Sequence, residues 1–240
     1  VSSKNQFVKT HVSVRKHFSD PLRNALDGIV AVGAPVAVES LVEAYSFGIF
    51  PWPHEDYPML WFCPDTRGIL DFSDLHLPTS LLKWLKKTDL KTTINQNFRE
   101  VMEACGKVPR PNQSGTWITP EMKKAYLELH KMGLAHSVEV WDGSKLVGGI
   151  YGVYVGGTFS AESMFYHVSN ASKLAFLTMV HQLEHMGCEW MDIQMLTPVT
   201  EHFGGKYIPK KSFLARLVAR QKENYLPFIT AKVAEDPTER

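Results

Sequence analysis

The sequence predicts an α+β chain in which helices pack on a mixed sheet, and three observations carry that prediction. Between Thr119 and Trp141 the spacing of apolar residues changes from a helical period to a period of two. Asp142-Gly143, set between two alternating segments, is a hairpin signal. A long helical segment opened by Asn170 and closed by Gly187 is then followed by a strand-like run over 189–195. Meander, helix, strand is the order of a mixed sheet with helices laid on it.

In chain order, the first third is irregular. Pro35 stands where proline opens a helix and Gly48 where glycine closes one, so a short helix is predicted over 35–47. Val36, Leu41, Val42 and Tyr45 form its apolar face. Gly48-Ile49-Phe50-Pro51-Trp52-Pro53 and then Leu60-Trp61-Phe62 read as an aromatic-dense loop region. A boundary near Arg67-Gly68 divides a small N-terminal domain, 1–68, from a larger one, 69–234, with a flexible tail at 235–240. Amphipathic helices are predicted over 80–87, over 97–106, and from Thr119 to a stop at Gly133, with Pro120 and Glu121 as start signals. Strands follow at 137–141, from Leu146 onward, and through Gly156-Gly157 to Phe165.

Composition bounds the function. The 240 residues are 44% hydrophobic and 21% charged, which excludes disorder, collagen and coiled coil. Twenty-six Lys and Arg against 25 Asp and Glu exclude a histone-like polycation but leave room for a local basic patch. Cys63, Cys105 and Cys188 are odd in number and far apart, and read as reduced thiols rather than a disulfide or zinc framework. No apolar leader is visible, and the most apolar stretch, 28–42, is interrupted by Gly33, Pro35 and Glu39. A soluble, cytoplasmic protein is expected.

Several residues are placed for chemistry. Alternation over Trp190-Met191-Asp192-Ile193-Gln194-Met195 sets Trp190, Asp192 and Gln194 on one strand face and the apolar residues on the other. A carboxylate two residues from an amide suits polar work in a cleft; the plainer reading is an edge strand with a solvated face. Glu162 is a lone acid in an apolar, Gly-rich strand, and a buried acid needs partners, so it reads as a structural anchor or a site residue. His181-Gln182-Leu183-Glu184-His185 matches the H-x-x-E-H zinc-peptidase pattern. Its histidines, however, lie opposite the apolar face of Phe176, Met179, Val180, Leu183 and Met186, and no zinc site is expected. Trp52 and Trp117 sit in loop-like contexts where an indole can stack on a base. Lys83, Lys86 and Lys87 read as a solvated helix face or a phosphate-tracking patch. No phosphate-binding or dinucleotide-binding glycine motif is present, so nothing calls for ATP or NAD.

A set of segments resembles the leucyl/phenylalanyl-tRNA–protein transferases. These are Ala44-Tyr45-Ser46-Phe47-Gly48-Ile49-Phe50-Pro51-Trp52, Leu60-Trp61, Pro64-Asp65-Thr66-Arg67, Thr116-Trp117-Ile118-Thr119, Ala135-His136-Ser137-Val138-Glu139-Val140-Trp141, Leu146-Val147-Gly148-Gly149-Ile150-Tyr151-Gly152-Val153, Glu162-Ser163-Met164-Phe165, Asn170-Ala171-Ser172-Lys173 and Ile208-Pro209. They run in order over roughly 25–217. The resemblance implies a small N-terminal domain plus an acetyltransferase-like (GNAT) domain with a mixed, mostly antiparallel sheet, and no cofactor, acetyl-CoA included. It implies transfer of Leu or Phe, with Met possible, from aminoacyl-tRNA to the N-terminal residue of an acceptor protein, creating a degradation signal. Asp192 and Gln194 then fall on an Asp-x-Gln motif that activates the acceptor amine, with Glu162 as acidic partner. Trp52 and Trp117 fall where the terminal adenosine is held, and Lys83, Lys86 and Lys87 beside the helix that meets the acceptor stem. Ile150, Phe159, Met164, Phe176 and Met179 fall where the aminoacyl pocket is lined. Simple alternation sends Phe159 and Met164 to opposite faces, so a bulge between them is required. A monomer without metal or membrane is expected.

The chain departs from the family pattern at Tyr166, Ile193, Thr79 and the stretch Glu201-His202-Phe203-Gly204-Gly205-Lys206. An acceptor with N-terminal Arg or Lys is favoured. If Lys206 enters the acceptor groove and Tyr166 crowds Glu162, N-terminal Asp or Glu becomes the alternative. From another class, the competing reading is a non-catalytic module that grips an RNA 3′ end or an N-terminal degron. The Asp192 and Gln194 pair argues against it, because binding alone needs no such pair.

Overall fold

The computed structural model describes residues 16–23, 27–54, 57–108, 118–223 and 225–229. Two sheets organise it. A small antiparallel sheet contains β1 (Ile29–Val32), β2 (Phe50–His54) and β3 (Tyr57–Phe62) in the order β1-β3-β2. A seven-stranded sheet contains β4 (Thr66–Asp71), β5 (Lys91–Ile94), β6 (Ala135–Asp142), β7 (Lys145–Val155), β8 (Thr158–Tyr166), β9 (Trp190–Gln194) and β10 (Lys206–Pro209), in the order β10-β4-β9-β8-β7-β6-β5. The helices are α1 (Val38–Ser46), α2 (Thr79–Leu85), α3 (Phe98–Lys107), α4 (Pro120–Lys131), α5 (Ala171–His185), α6 (Pro198–His202) and α7 (Lys210–Lys222). The α+β class therefore holds.

All pairings in the large sheet are antiparallel except β8 with β9. That pair needs a crossover, and α5 supplies it. Side chains of β7 divide between two cores. Ile150 and Tyr154 pack with α5 residues such as Phe176 and Met179, whereas Tyr151, Val153 and Val155 pack with Phe98, Val101, Met122 and Tyr126 of α3 and α4. The second of these cores also takes in Phe18, Tyr45, Phe50 and Trp61, so the N-terminal part is built onto one face of the sheet.

Local expectations hold with specific exceptions. Pro35 does not open α1; the helix starts at Val38, because the Ser40 hydroxyl donates to the Pro35 carbonyl and fixes a turn ahead of it. The aromatic-dense segment is not loop but β2 and β3. Pro51 and Pro53 are tolerated because β2, which holds them, is an edge strand of the small sheet. The boundary placed at 68 falls inside β4, and β4 pairs with β9 and β10 of the large sheet. The hairpin turn is Gly143-Ser144, one residue later than expected, with Asp142 paired to Lys145. Asn170 precedes α5 at φ 67°, which turns its side chain away from the helix amides; it accepts instead from Lys173. Thr119 caps α4 as expected, its hydroxyl accepting from the Met122 N–H. The tail at 235–240 lies outside the described residues.

Candidate active site

The site is assembled where β8 and β9 run side by side. Opposite β7, Tyr151 faces Ser163 and Gly152 faces Ala161, which leaves Glu162 as one extra residue in β8. This is the required bulge, and Glu162 itself occupies it. By absorbing one position it sends Phe159 and Met164 into the same core.

Glu162 is held by three elements. The Tyr45 hydroxyl of α1 donates to Oε1 at 2.6 Å and the Tyr126 hydroxyl of α4 donates to Oε2 at 3.3 Å. The Gln194 side-chain N–H, at the end of β9, donates to Oε1 at 2.7 Å. The two tyrosine hydroxyls are 2.6 Å apart; with the Tyr45 proton on Glu162, the Tyr126 proton is shared between the Tyr45 oxygen and Oε2. Burial pushes the Glu162 carboxyl up to about 7, and the negative charge of Asp192 adds to that. Hydrogen bonds from Tyr45 and Tyr126 and the positive charge of Arg67 pull the other way. Both phenols are raised well above the ordinary tyrosine range by burial and then by the charge of Glu162.

Asp192 sits one layer behind. The bland edge-strand reading is overturned, since β9 lies between β4 and β8 and all five of its residues are buried. The Arg67 guanidinium grips Asp192 with both oxygens engaged, Nε to Oδ1 at 2.7 Å and Nη2 to Oδ2 at 2.6 Å. The Ser160 hydroxyl donates to Oδ2 and the Gln194 backbone N–H donates to Oδ1, each at 2.9 Å. Asp192 is thus 1% exposed and supplied with four donors, while Glu162 and Gln194 reach the open space.

That space is a cleft of about 400 Å³ lined by Pro51, Trp52, Pro53, Ile150, Ala161, Glu162, Ser163, Met164, Phe176, Ile193, Gln194, Met195, Thr197 and Thr200. Of the pocket residues expected from sequence, Ile150, Met164 and Phe176 line it. Phe159 and Met179 do not: both are fully buried in the core behind, their surfaces consumed by packing between the sheet and α5. Thr197 and Thr200 were missed because their spacing, with Pro198 between, signals a helix start, which they also form.

The remaining residues separate. Trp52 stands on the cleft wall, edge-on to Phe50 and Phe62; Trp117 lies outside the described residues. Lys83 on α2 and Lys86 and Lys87 at its end are exposed and are not part of the cleft lining. Lys206 does not enter the groove, because Asp71 at 2.9 Å and Asp74 at 2.6 Å hold its ammonium elsewhere. Tyr166 does not crowd Glu162: it is 63% exposed and lines a separate groove with Glu100, Glu103 and His167. His181 and His185 stack edge to face on α5, and no cluster of three metal-binding side chains occurs among the described residues.

Comparison with known proteins supplies the family. The model of the family described as leucyl/phenylalanyl-tRNA protein transferase matches residues 69–218, and that of its N-terminal domain matches 36–65. Two relatives named leucyl/phenylalanyl-tRNA–protein transferase are 45% and 46% identical to this chain. The one from Anaeromyxobacter dehalogenans (strain 2CP-C) aligns over 200 residues, 83% of this chain and 86% of its own. The one from Pseudoalteromonas atlantica aligns over 203 residues, 84% and 86%. A third, from Oleidesulfovibrio alaskensis, is 43% identical over 211 residues, 86% of this chain and 85% of its own. A solved structure of a functionally unknown conserved protein from Staphylococcus epidermidis covers 60% of this chain and 57% of its own at 10% identity. Its TM-score of 0.41 is too slight a likeness to bear on the fold. The class is thereby set: the protein is an aminoacyltransferase. It belongs to the leucyl/phenylalanyl-tRNA protein transferase family.

Proposed function

We propose that this chain moves Leu, Phe or Met from the 3′ end of a charged tRNA onto the N-terminal residue of an acceptor protein, marking it for degradation in the cytoplasm, and that it acts as a monomer. One observation carries the reading: an apolar cleft that ends on a hydrogen-bonded carboxyl and amide, Glu162 and Gln194. Ile150, Met164 and Phe176 receive the aminoacyl side chain, backed by Phe159 and Met179. Trp52, with Trp117, holds the terminal adenosine, and Lys83, Lys86 and Lys87 meet the acceptor stem.

The chemistry needs orientation and one proton transfer. The amine nitrogen attacks the ester carbonyl carbon, the carbon–oxygen bond to the ribose breaks, and the amine proton ends on the ribose hydroxyl. An α-amine has a pKa of about 7.7–8.0. A carboxyl poised near 7 is matched to carry that proton. Gln194 holds the amine in line, and Asp192 acts from behind by fixing Gln194. With Lys206 paired away, no lysine or arginine among the described residues lines the cleft, which favours an N-terminal Arg or Lys on the acceptor beside Glu162.

The test crosses several charged tRNAs with peptides that begin with Arg, Lys, Asp or Glu. Leu, Phe and Met should pass to Arg- and Lys-initiated peptides. Charged side chains should be refused, because the pocket leaves them desolvated without a partner. Efficient transfer from Arg-tRNA would show that the pocket is misplaced, and a lead for acidic peptides would overturn the acceptor reading.

A further inference from the structure

Arg67 belongs to β4, outside the cleft lining, and its guanidinium is 1% exposed. It lies between two aromatic rings, 4.5 Å from the centroid of Phe50 and 4.8 Å from that of Phe213. Two of its nitrogens go to the two oxygens of Asp192, while the third, Nη1, is buried with no hydrogen-bond partner among the described residues. A buried ion pair with an unsatisfied donor is a poor source of stability, since desolvation offsets much of the attraction. What such a pair supplies is direction: a planar fork packed against two rings sets the orientation of the carboxylate it meets.

That orientation propagates. Asp192 accepts the backbone N–H of Gln194, and Gln194 sits at φ 58°, a conformation a non-glycine residue holds only where its surroundings impose it. The turned backbone is what brings the Gln194 amide to Glu162 at 2.7 Å. We propose that Arg67 is a positioning residue of the transfer reaction, acting through Asp192 to hold Gln194 in its left-handed conformation against Glu162. The inference rests on the function proposed above.

The experiment is Arg67→Lys in the full chain, alone and combined with Gln194→Ala. Lysine keeps the charge but loses the fork. The kcat should fall about 10²-fold, the order that a misplacement of about 1 Å costs. KM for both substrates and the melting temperature should stay near wild type. In the Gln194→Ala background the same change should cost less than about 3-fold, because Arg67 acts through Gln194. A kcat within about 2-fold of wild type, or an undiminished loss in the Gln194→Ala background, would overturn the proposal. If Arg67→Lys does not fold, Phe213→Leu replaces it. Loosening one ring of the stack should lower kcat about 5- to 10-fold with the same dependence on Gln194, and no such dependence would overturn it. If the wild-type chain transfers nothing, the functional reading has failed separately. A crystal structure of Arg67→Lys then decides this one: Gln194 must leave the left-handed region and lose Glu162, and an unchanged Gln194 refutes the positioning role.

Discussion

At the scale of single residues, Glu162 is costly to the fold and useful to the reaction for the same reason. Burial raises its pKa to about 7 from an ordinary 4.5. The folded state therefore binds a proton more tightly than the unfolded state, and stability declines as pH rises from about 4.5 through 7. Glu162→Gln removes that titration and keeps an acceptor oxygen for Tyr45. The variant should melt higher than wild type at pH 8, with the advantage shrinking toward pH 5, as thermal melts across that range would show. Its transfer rate should drop by about 10²–10⁴-fold, and the component near pH 7 should vanish from kcat/KM, leaving only the limb of the acceptor amine at about 7.7–8.0. A component near pH 7 that persists in the variant would move the titrating group elsewhere. Glu162, Asp192 and Gln194 were all legible in the sequence, as lone polar residues among apolar neighbours. Their order of depth was not: Asp192 reads as the exposed actor, yet Arg67 covers it and Glu162 faces the cleft.

Among the elements, the bulge in β8 carries the site. Gly152 lies across from it, and a Cβ there would meet the Ser160 carbonyl oxygen at 2.3 Å and the Phe159 ring at 2.5 Å. Neither atom can retreat easily, one being backbone and the other core. Gly152→Ala should therefore destabilise the protein by about 1–3 kcal/mol. That lowers the melting temperature by about 2–4 °C for each kcal/mol, and activity at low temperature should fall with it as the Glu162 register is disturbed. An alanine variant with unchanged melting and transfer would show that β7 and β8 do not need this close approach. The bulge itself was foreseeable from the family resemblance, which sets Phe159 and Met164 at one pocket that simple alternation denies them. That Glu162 would be the bulged residue depends on where β7 presents its glycines.

At the scale of the whole molecule, the N-terminal part and the large sheet share one core. Phe18, Tyr45, Phe50 and Trp61 pack with Phe98, Met122, Tyr126 and Tyr151. The tyrosines that hold Glu162 come from α1 and α4, so the carboxyl is completed only when both parts are in place. Calorimetry should accordingly give a single transition, with calorimetric and van't Hoff enthalpies in agreement. Two resolved transitions would mean that the parts fold independently and that Glu162 outlasts its partners.

Alone, the sequence determined the fold class, the helices with strong start and stop signals, the β6–β7 hairpin to within one residue and the polar residues of β9. Each of these rests on interactions between residues a few positions apart, which chain geometry repeats with fixed periods. Only the tertiary structure decided which partners those residues meet. Arg67 reaches Asp192 across 125 positions and Tyr45 reaches Glu162 across 117. Lys206, free in any local reading, is claimed by Asp74 across 132. Such meetings depend on the order β10-β4-β9-β8, and that order is selected by how the whole chain buries its apolar surface rather than by any segment within it.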